Sequence, residues 1–313
     1  MNSGGQTFPG ADRRETMAHI KSCGCAICAS TVFIAVAWFG ASVQGGEVKL
    51  GTSTLFYDEF EDEAVYAEPL PNGAGVGQWS GVSGLTHIQN GTSDSGDPYG
   101  ASSGAPTAAL SGAKFLRLYR DGAYSTTGSF LGANFGSIPT PGSGSTTISA
   151  RFALWVPSGA ADYTAQFALS SDAFYTGAPA YIYARSDGTL TYYNNNTSSH
   201  VTIVDGSSVP LTYQKNAWQV FQLDYTLLPG GSNDIYTITV GGRTSSANPA
   251  MYNASGAADT SATSLQYLVF STGNVGSFFV DIPEPAAASM GAIAFGGLVS
   301  IRRRNHKSEH RRA

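Results

Sequence analysis

Short runs in which apolar and polar residues alternate, each closed by Gly, Pro, Asn or Asp, recur from Leu55 to Ile282 and predict β-strands throughout. The runs are Leu55–Phe60, Lys114–Arg120, Thr147–Val156, Tyr163–Leu169, Ala180–Arg185, Thr189–Tyr193, Val201–Val204, Trp218–Tyr225, Ile235–Val240, Leu265–Ser271 and Phe278–Ile282. In Trp218–Tyr225, Phe221, Leu223 and Tyr225 share one face; in Ile235–Val240, Tyr236, Ile238 and Val240 oppose Ile235, Thr237 and Thr239. Ser186-Asp187-Gly188 supplies the D-G dipeptide of a tight hairpin turn, because glycine tolerates positive φ. Residues Asn72–Ser111, rich in Gly, Ser, Ala and Pro, predict long loops around one strand near Leu85–Ile88. With no long helical period between the strands, the expected fold is all-β, an antiparallel jelly-roll sandwich.

The two ends break this pattern. Lys21 precedes the apolar stretch Ala26–Phe39, and small residues Gly40, Ala41 and Ser42 follow, the order of a secretory signal peptide. Residues 1–45 are read as that leader, a short apolar helix, with Met17 as an alternative start. At the other end, Ile282-Pro283-Glu284-Pro285 leads into the apolar run Ala286–Ile301 and then Arg302-Arg303-Arg304. A spanning helix needs ~20 apolar residues, so this segment is short and, with its many Ala and Gly, weakly hydrophobic. The arginines place its end on the cytoplasmic side, and the prolines around Glu284 keep the preceding backbone extended. Domain bounds follow: leader 1–45, sandwich 46–281, and tail 282–313 with a transmembrane segment 286–301.

Pro283, Glu284, Pro285 and Arg302, Arg303, Arg304, with the apolar run between them, resemble the PEP-CTERM sorting signal of Gram-negative bacteria. That resemblance implies export, transient anchoring in the inner membrane, processing by an exosortase-type membrane protease, and a final place at the cell surface or outside the cell. The continuation Asn305–Ala313 past the arginines departs from the family pattern. The body has landmarks of its own: Leu55-Phe56-Tyr57-Asp58-Glu59-Phe60, Lys114–Leu118, the hairpin Tyr181–Tyr193, Trp218–Phe221 and Phe278–Ile282. Their order resembles concanavalin A-like (laminin-G-like) sandwiches, a likeness that implies paired first and last strands.

Composition narrows the chemistry. The full chain carries a net charge of −5, but residues 47–281 hold 8 Lys/Arg against 18 Asp/Glu, a net −10. An acidic body repels nucleic acid and anionic lipid, so neither is an expected partner of the sandwich; the membrane is reached only through the tail. Cys23, Cys25 and Cys28 all fall in the leader, which leaves the body without a disulfide or thiol nucleophile.

No catalytic motif stands out. Gly100-Ala101-Ser102-Ser103-Gly104 matches G-x-S-x-G but lies in a Gly/Ser-rich loop, not a strand–elbow–helix. His87 and His200, the two histidines of the body, read as surface or strand-edge residues. Asp58, Glu59, Glu61, Asp62 and Glu63 form one acidic run that could hold a glycosidase carboxylate pair, but reads as a solvated strand end. No cofactor is expected. A structural Ca²⁺ is implied only by the sandwich resemblance, with Asp58 and Asp281 as ligands, against the ordinary role of such residues in holding backbone amides.

Sugar faces need aromatic platforms flanked by amides or carboxylates. Tyr181, Tyr183, Tyr193 and Asn195 bring these groups into one hairpin, where alternate residues must face the core. The expectation is an exported, non-enzymatic surface or matrix protein associated with extracellular polysaccharide and able to bind carbohydrate. A glycan hydrolase of the same fold and a purely structural surface component are the alternatives.

Overall fold

The computed structural model describes residues 47–58, 60–67, 69, 75–80, 86–91, 104–120, 129–172, 178–194, 197–230, 234–250 and 264–282. The expected leader and sorting tail (Pro283 to Arg304 included) lie outside the described residues, as does Asn195. Among the described residues there is no α-helix, and none is therefore long and apolar enough to cross a membrane.

The strands are β1 (Glu47–Leu50), β2 (Ser53–Tyr57), β3 (Trp79–Ser80), β4 (Thr86–Gln89), β5 (Phe115–Arg120), β6 (Phe130–Pro139), β7 (Thr146–Trp155), β8 (Gln166–Ser170) and β9 (Ala180–Ala184). They continue with β10 (Leu190–Asn194), β11 (Ser199–Thr202), β12 (Gln219–Leu227), β13 (Ile235–Val240), β14 (Arg243–Thr244), β15 (Asn248–Pro249), β16 (Ser264–Ser271) and β17 (Gly276–Asp281). All pairings are antiparallel, and they build two sheets. The first runs β14-β13-β12-β7-β17-β5-β4, with β1, β2 and β15 attached; the second runs β11-β10-β9-β8-β16-β6-β3.

Alternation in each strand sends one set of side chains between the sheets. Ile148, Ala150, Phe152 and Leu154 of β7 and Phe221, Leu223 and Tyr225 of β12 meet Phe167, Leu169, Ile182, Leu268 and Phe270 of the second sheet in one buried cluster. At its centre Phe152 stands opposite Phe221 in the ladder, with near-parallel rings 5.9 Å apart. It also packs edge-on against Phe167 and Phe270, each at 5.0 Å. Aromatic pairs at these separations add to the hydrophobic gain of burial.

The likeness to concanavalin A-like sandwiches implied that the first and last strands pair, and they do not. Both lie on one edge of β7, end to end: β1 takes Ile148–Arg151 and β17 takes Ala153–Trp155. Ten residues give room for two short registers, so entry at Glu47 and exit at Asp281 meet beside Phe152.

The predicted strands are present, with ends shifted by a few residues. The hairpin at Asp187-Gly188 forms with Gly188 at φ +87° and Asp187 Oδ1 accepting from the Thr189 amide at 2.9 Å. Strand β6 was not anticipated, because Gly132, Asn134 and Gly136 interrupt its pattern. Gly136 has φ +88°, and the ladder to β16 slips between Leu265 and Tyr267, a bulge that glycine accommodates. Replacing Phe152 by Ala removes the ring shared by both sheets; the expected loss is ~3–5 kcal/mol, read as a lower urea midpoint at unchanged slope.

Candidate functional site

The outer face of the second sheet carries the residues that point away from the core. Tyr181 and Tyr183 flank core residue Ile182 on β9, and Tyr193 faces His200 across β10 and β11. The sequence-based candidates Tyr181, Tyr183 and Tyr193 therefore share one face. Tyr192 turns inward, edge-on to Tyr236 at 6.1 Å.

Tyr163, Arg185 and His200 complete the cluster, and none was singled out for it by sequence pattern. Tyr163 sits before β8 with φ +65°, a left-handed conformation unusual for a bulky residue. Its carbonyl accepts from the Gly273 amide and from Gln166 Nε2, both at 3.0 Å, and its amide donates to Ala184 O at 3.2 Å. Held this way, its ring lies on the His200 imidazole at 4.6 Å and 28°, and meets Tyr183 edge-on at 5.5 Å. Tyr183 and Tyr193 present their rings to the same imidazole at 4.8 and 5.2 Å.

Arg185 closes one side. Its Nη1 donates to the Tyr163 hydroxyl at 2.8 Å, its Nη2 to Asp162 Oδ2 at 2.9 Å, and its guanidinium carbon lies 4.7 Å from the centre of the Tyr163 ring. Asp162 also accepts from the Ser186 amide at 2.6 Å, and these bonds, the Ser186 amide first, hold its carboxyl down to about 2. Burial pushes the His200 imidazole below its ordinary value; Arg185 adds to the shift and Asp162 opposes it. The shift favours the neutral imidazole.

Toward the middle of the face the polar side chains engage one another. Ser271 Oγ bonds the Tyr181 hydroxyl and donates to Gln166 Oε1 at 2.9 Å, and Asn134 Nδ2 reaches the Tyr267 hydroxyl at 3.4 Å. Tyr181 and Asn134 are buried, whereas Tyr163, Tyr183, Tyr193 and His200 are half-buried. Among the described residues, the half-buried aromatic rings of this face lie at its β9–β11 edge. On the first sheet's outer face, Trp155 and Trp218 donate their indole N–H groups to Gly104 O and Ala108 O at 2.7 and 2.8 Å, and Phe115 packs edge-on against both Trp218 and Phe279.

The acidic run folds into a corner after β2. Carboxylate oxygens of Asp58, Asp62 and Glu63 lie within 4.8 Å of one another, next to an open pocket of about 460 Å³ lined by Tyr57, Asp58, Glu61 and Asp62. Asp58 accepts from the Phe60 amide at 2.9 Å and from Trp79 Nε1, and Glu61 Oε1 accepts from the Ala113 and Lys114 amides at 2.6 and 2.8 Å. Lys114 Nζ donates to the carbonyls of Glu61 and Glu63, both at 2.6 Å. The donor set is all oxygen, as calcium prefers. Asp281 does not join this group: its Oδ2 accepts from the Leu110 and Ser111 amides at 2.5 and 3.1 Å. The structure therefore groups Asp58 with Asp62 and Glu63 and not with Asp281, the other residue expected to hold calcium. His87, expected at a surface or strand edge, lies on β4 at the edge of the first sheet but is buried, 3.2 Å from Gln89 Nε2 and close to the Tyr66 ring.

No family model matches the chain, and no curated protein matches it. Among solved structures, a family 131 β-glucanase catalytic domain from Podospora anserina is 12% identical, over 56% of this chain and 75% of its own, with a TM-score of 0.31. Lectin II from Ulex europaeus is 11% identical over 54% and 87%, with a TM-score of 0.28. An endo-1,3-β-glucanase from Streptomyces sioyaensis is 10% identical over 78% and 98%, with a TM-score of 0.35. At this distance the likenesses carry no argument about function, and the fold rests on the two sheets themselves. One expectation is corrected here. The chain was expected not to be an enzyme, but the similar structures include glucanase catalytic domains beside a lectin, so its sandwich fold does not place it outside the enzymes.

Burial raises the Asp281 carboxyl to about 6, with Glu61 adding to the shift and the Ser111 and Leu110 amides opposing it. The folded state thus holds this proton more tightly than the unfolded chain does. The contribution to stability is full below the unfolded value of 3.8 and is lost as pH rises through about 6. Asp281→Asn keeps an acceptor for the two amides and cannot ionise. Between pH 4 and 7 the urea-derived stability of wild type is expected to fall by about 2–3 kcal/mol relative to the variant.

Proposed function

We propose that this chain is an exported cell-surface or extracellular-matrix protein that binds polysaccharide at the β9–β11 edge of its second sheet. The observation that carries the reading is the half-buried group of Tyr163, Tyr183, Tyr193 and His200 on one face, with polar groups beside it. Pyranose rings have apolar C–H faces and polar edges, and aromatic rings with neighbouring hydrogen-bond partners suit both. Tyr163 held at positive φ supports the same reading, since strain of this kind persists where the surroundings over-determine it.

The architecture is compatible with display from a surface. Both ends of the sandwich meet on β7 of the first sheet, while the tyrosine edge is on the outer side of the second. Export through the leader and sorting by an exosortase-type protease acting at Pro283-Glu284-Pro285 belong to the same proposal, motivated by the sequence at the two ends.

Hydrolysis is the second reading, favoured by one observation. The carboxylates of Asp58, Asp62 and Glu63 lie within 4.8 Å beside a pocket with Tyr57 on its wall, close to the ~5 Å separation of retaining glycosidases. Against it, both oxygens of Asp58 already hold structural donors and Glu63 is buried.

Affinity electrophoresis of the full chain in gels containing polysaccharide tests the binding site. Tyr193→Ala is expected to weaken retardation about tenfold, in line with ~1–2 kcal/mol for one aromatic contact. Binding that survives Tyr193→Ala and Tyr183→Ala together would overturn the assignment. Release of reducing ends, lost in Asp62→Asn, would instead support hydrolysis at the acidic corner.

A further inference from the structure

The charges around the tyrosine edge bear on which glycans it accepts. Arg185 is engaged on three sides, by Asp162, by the Tyr163 hydroxyl and by the Tyr163 ring. Lys215 Nζ donates to Ser186 O at 2.5 Å and to Ser158 O at 3.3 Å, and Asp187 accepts from the Thr189 amide and hydroxyl at 2.9 and 2.6 Å. Two cations and two carboxylates therefore balance, each with a partner of its own. The remaining titratable side chains of the cluster are tyrosines and His200. The imidazole Nδ1 is buried with no hydrogen-bond partner, so protonating it would place a second positive charge near Arg185 without an acceptor.

A uronate carboxylate is recognised by an arginine fork or a lysine ammonium that is free to meet it. At this edge the fork is already divided between Asp162, on Nη2, and the Tyr163 hydroxyl, on Nη1. An acidic chain would also approach a body with a net charge of −10 over residues 47–281. What the edge presents is uncharged: the half-buried tyrosine rings and the exposed Thr202 side chain, whose partner Thr191 is in register with Tyr183 but buried. We infer that the Tyr163–Tyr183–Tyr193–His200 edge takes neutral sugar rings and turns away uronic-acid polysaccharides. The inference rests on the glycan-binding reading above and adds the ligand class to it.

The test compares the full chain on neutral glucans (laminarin and dextran) with alginate and polygalacturonate, at pH 7 and one ionic strength. The expected result is at least a tenfold preference for a neutral glucan, little changed by 0.5 M NaCl and lost in Tyr193→Ala. Asp162→Asn, which removes the carboxylate charge beside Arg185, is expected to strengthen alginate binding at least fivefold. Equal or tighter uronate binding by the wild type, lost in Tyr193→Ala, would overturn the inference and leave the glycan-binding reading standing. Absence of binding to all four polysaccharides would overturn both. The wild-type comparison needs no variant, so it decides the question even where Asp162→Asn fails to fold.

Discussion

Four phenylalanines, two from each sheet, set the distance and register between the layers. Phe152 and Phe221 stand opposite each other on the first sheet, and Phe167 and Phe270 on the second. Phe152 touches the other three at 5.0–5.9 Å. It also marks the place on β7 where the first and last strands meet end to end. A one-residue slip in any of these strands would turn its apolar set outward, so the packing of these rings and the ladders enforce each other. Through β8 and β16 the same register fixes which residues reach the outer face of the second sheet, and hence where the tyrosines lie.

Carboxylates in this body act largely as anchors for irregular backbone. Asp58 holds Phe60 and Trp79, Glu61 holds the start of β5, Asp281 holds residues 110 and 111, and Asp234 holds the Leu228 amide and the Tyr225 hydroxyl. Loops with few apolar residues cannot be secured by burial, and charged acceptors for backbone N–H groups do that work. Part of the body's acidity thus serves loop anchoring, while the carboxylates of Asp162 and Asp187 beside the aromatic edge are matched by Arg185 and Lys215.

Alternation made the strands legible wherever β-branched and aromatic residues were dense, as in Trp218–Tyr225 and Ile235–Val240. It also required Tyr192 and Tyr193 to face opposite ways, but that Tyr193 joins Tyr181 and Tyr183 follows from the Tyr183–Thr191 register of the hairpin. Strand β6 escaped because glycines at a bulge erase the period. Tyr163 escaped for the opposite reason: it belonged to an apparent strand, yet its backbone turns left-handed and carries the ring to His200. Tyr163 and His200 are 37 positions apart in sequence, and no local pattern signals a stack that depends on three strands and a turn. The split edge of β7 was invisible for the same reason, because two strands sharing one partner leave no mark on either sequence.

The measurement that bears most directly on the central claim is a titration of the full chain with a neutral glucan oligosaccharide, followed by NMR at the ring resonances of the tyrosines and His200. The expected result is saturable shifts at Tyr163, Tyr183, Tyr193 and His200, with the core ring of Tyr225 unmoved. Saturable shifts confined to Tyr57 and its neighbours at the acidic corner, with the tyrosine edge silent, would contradict the claim.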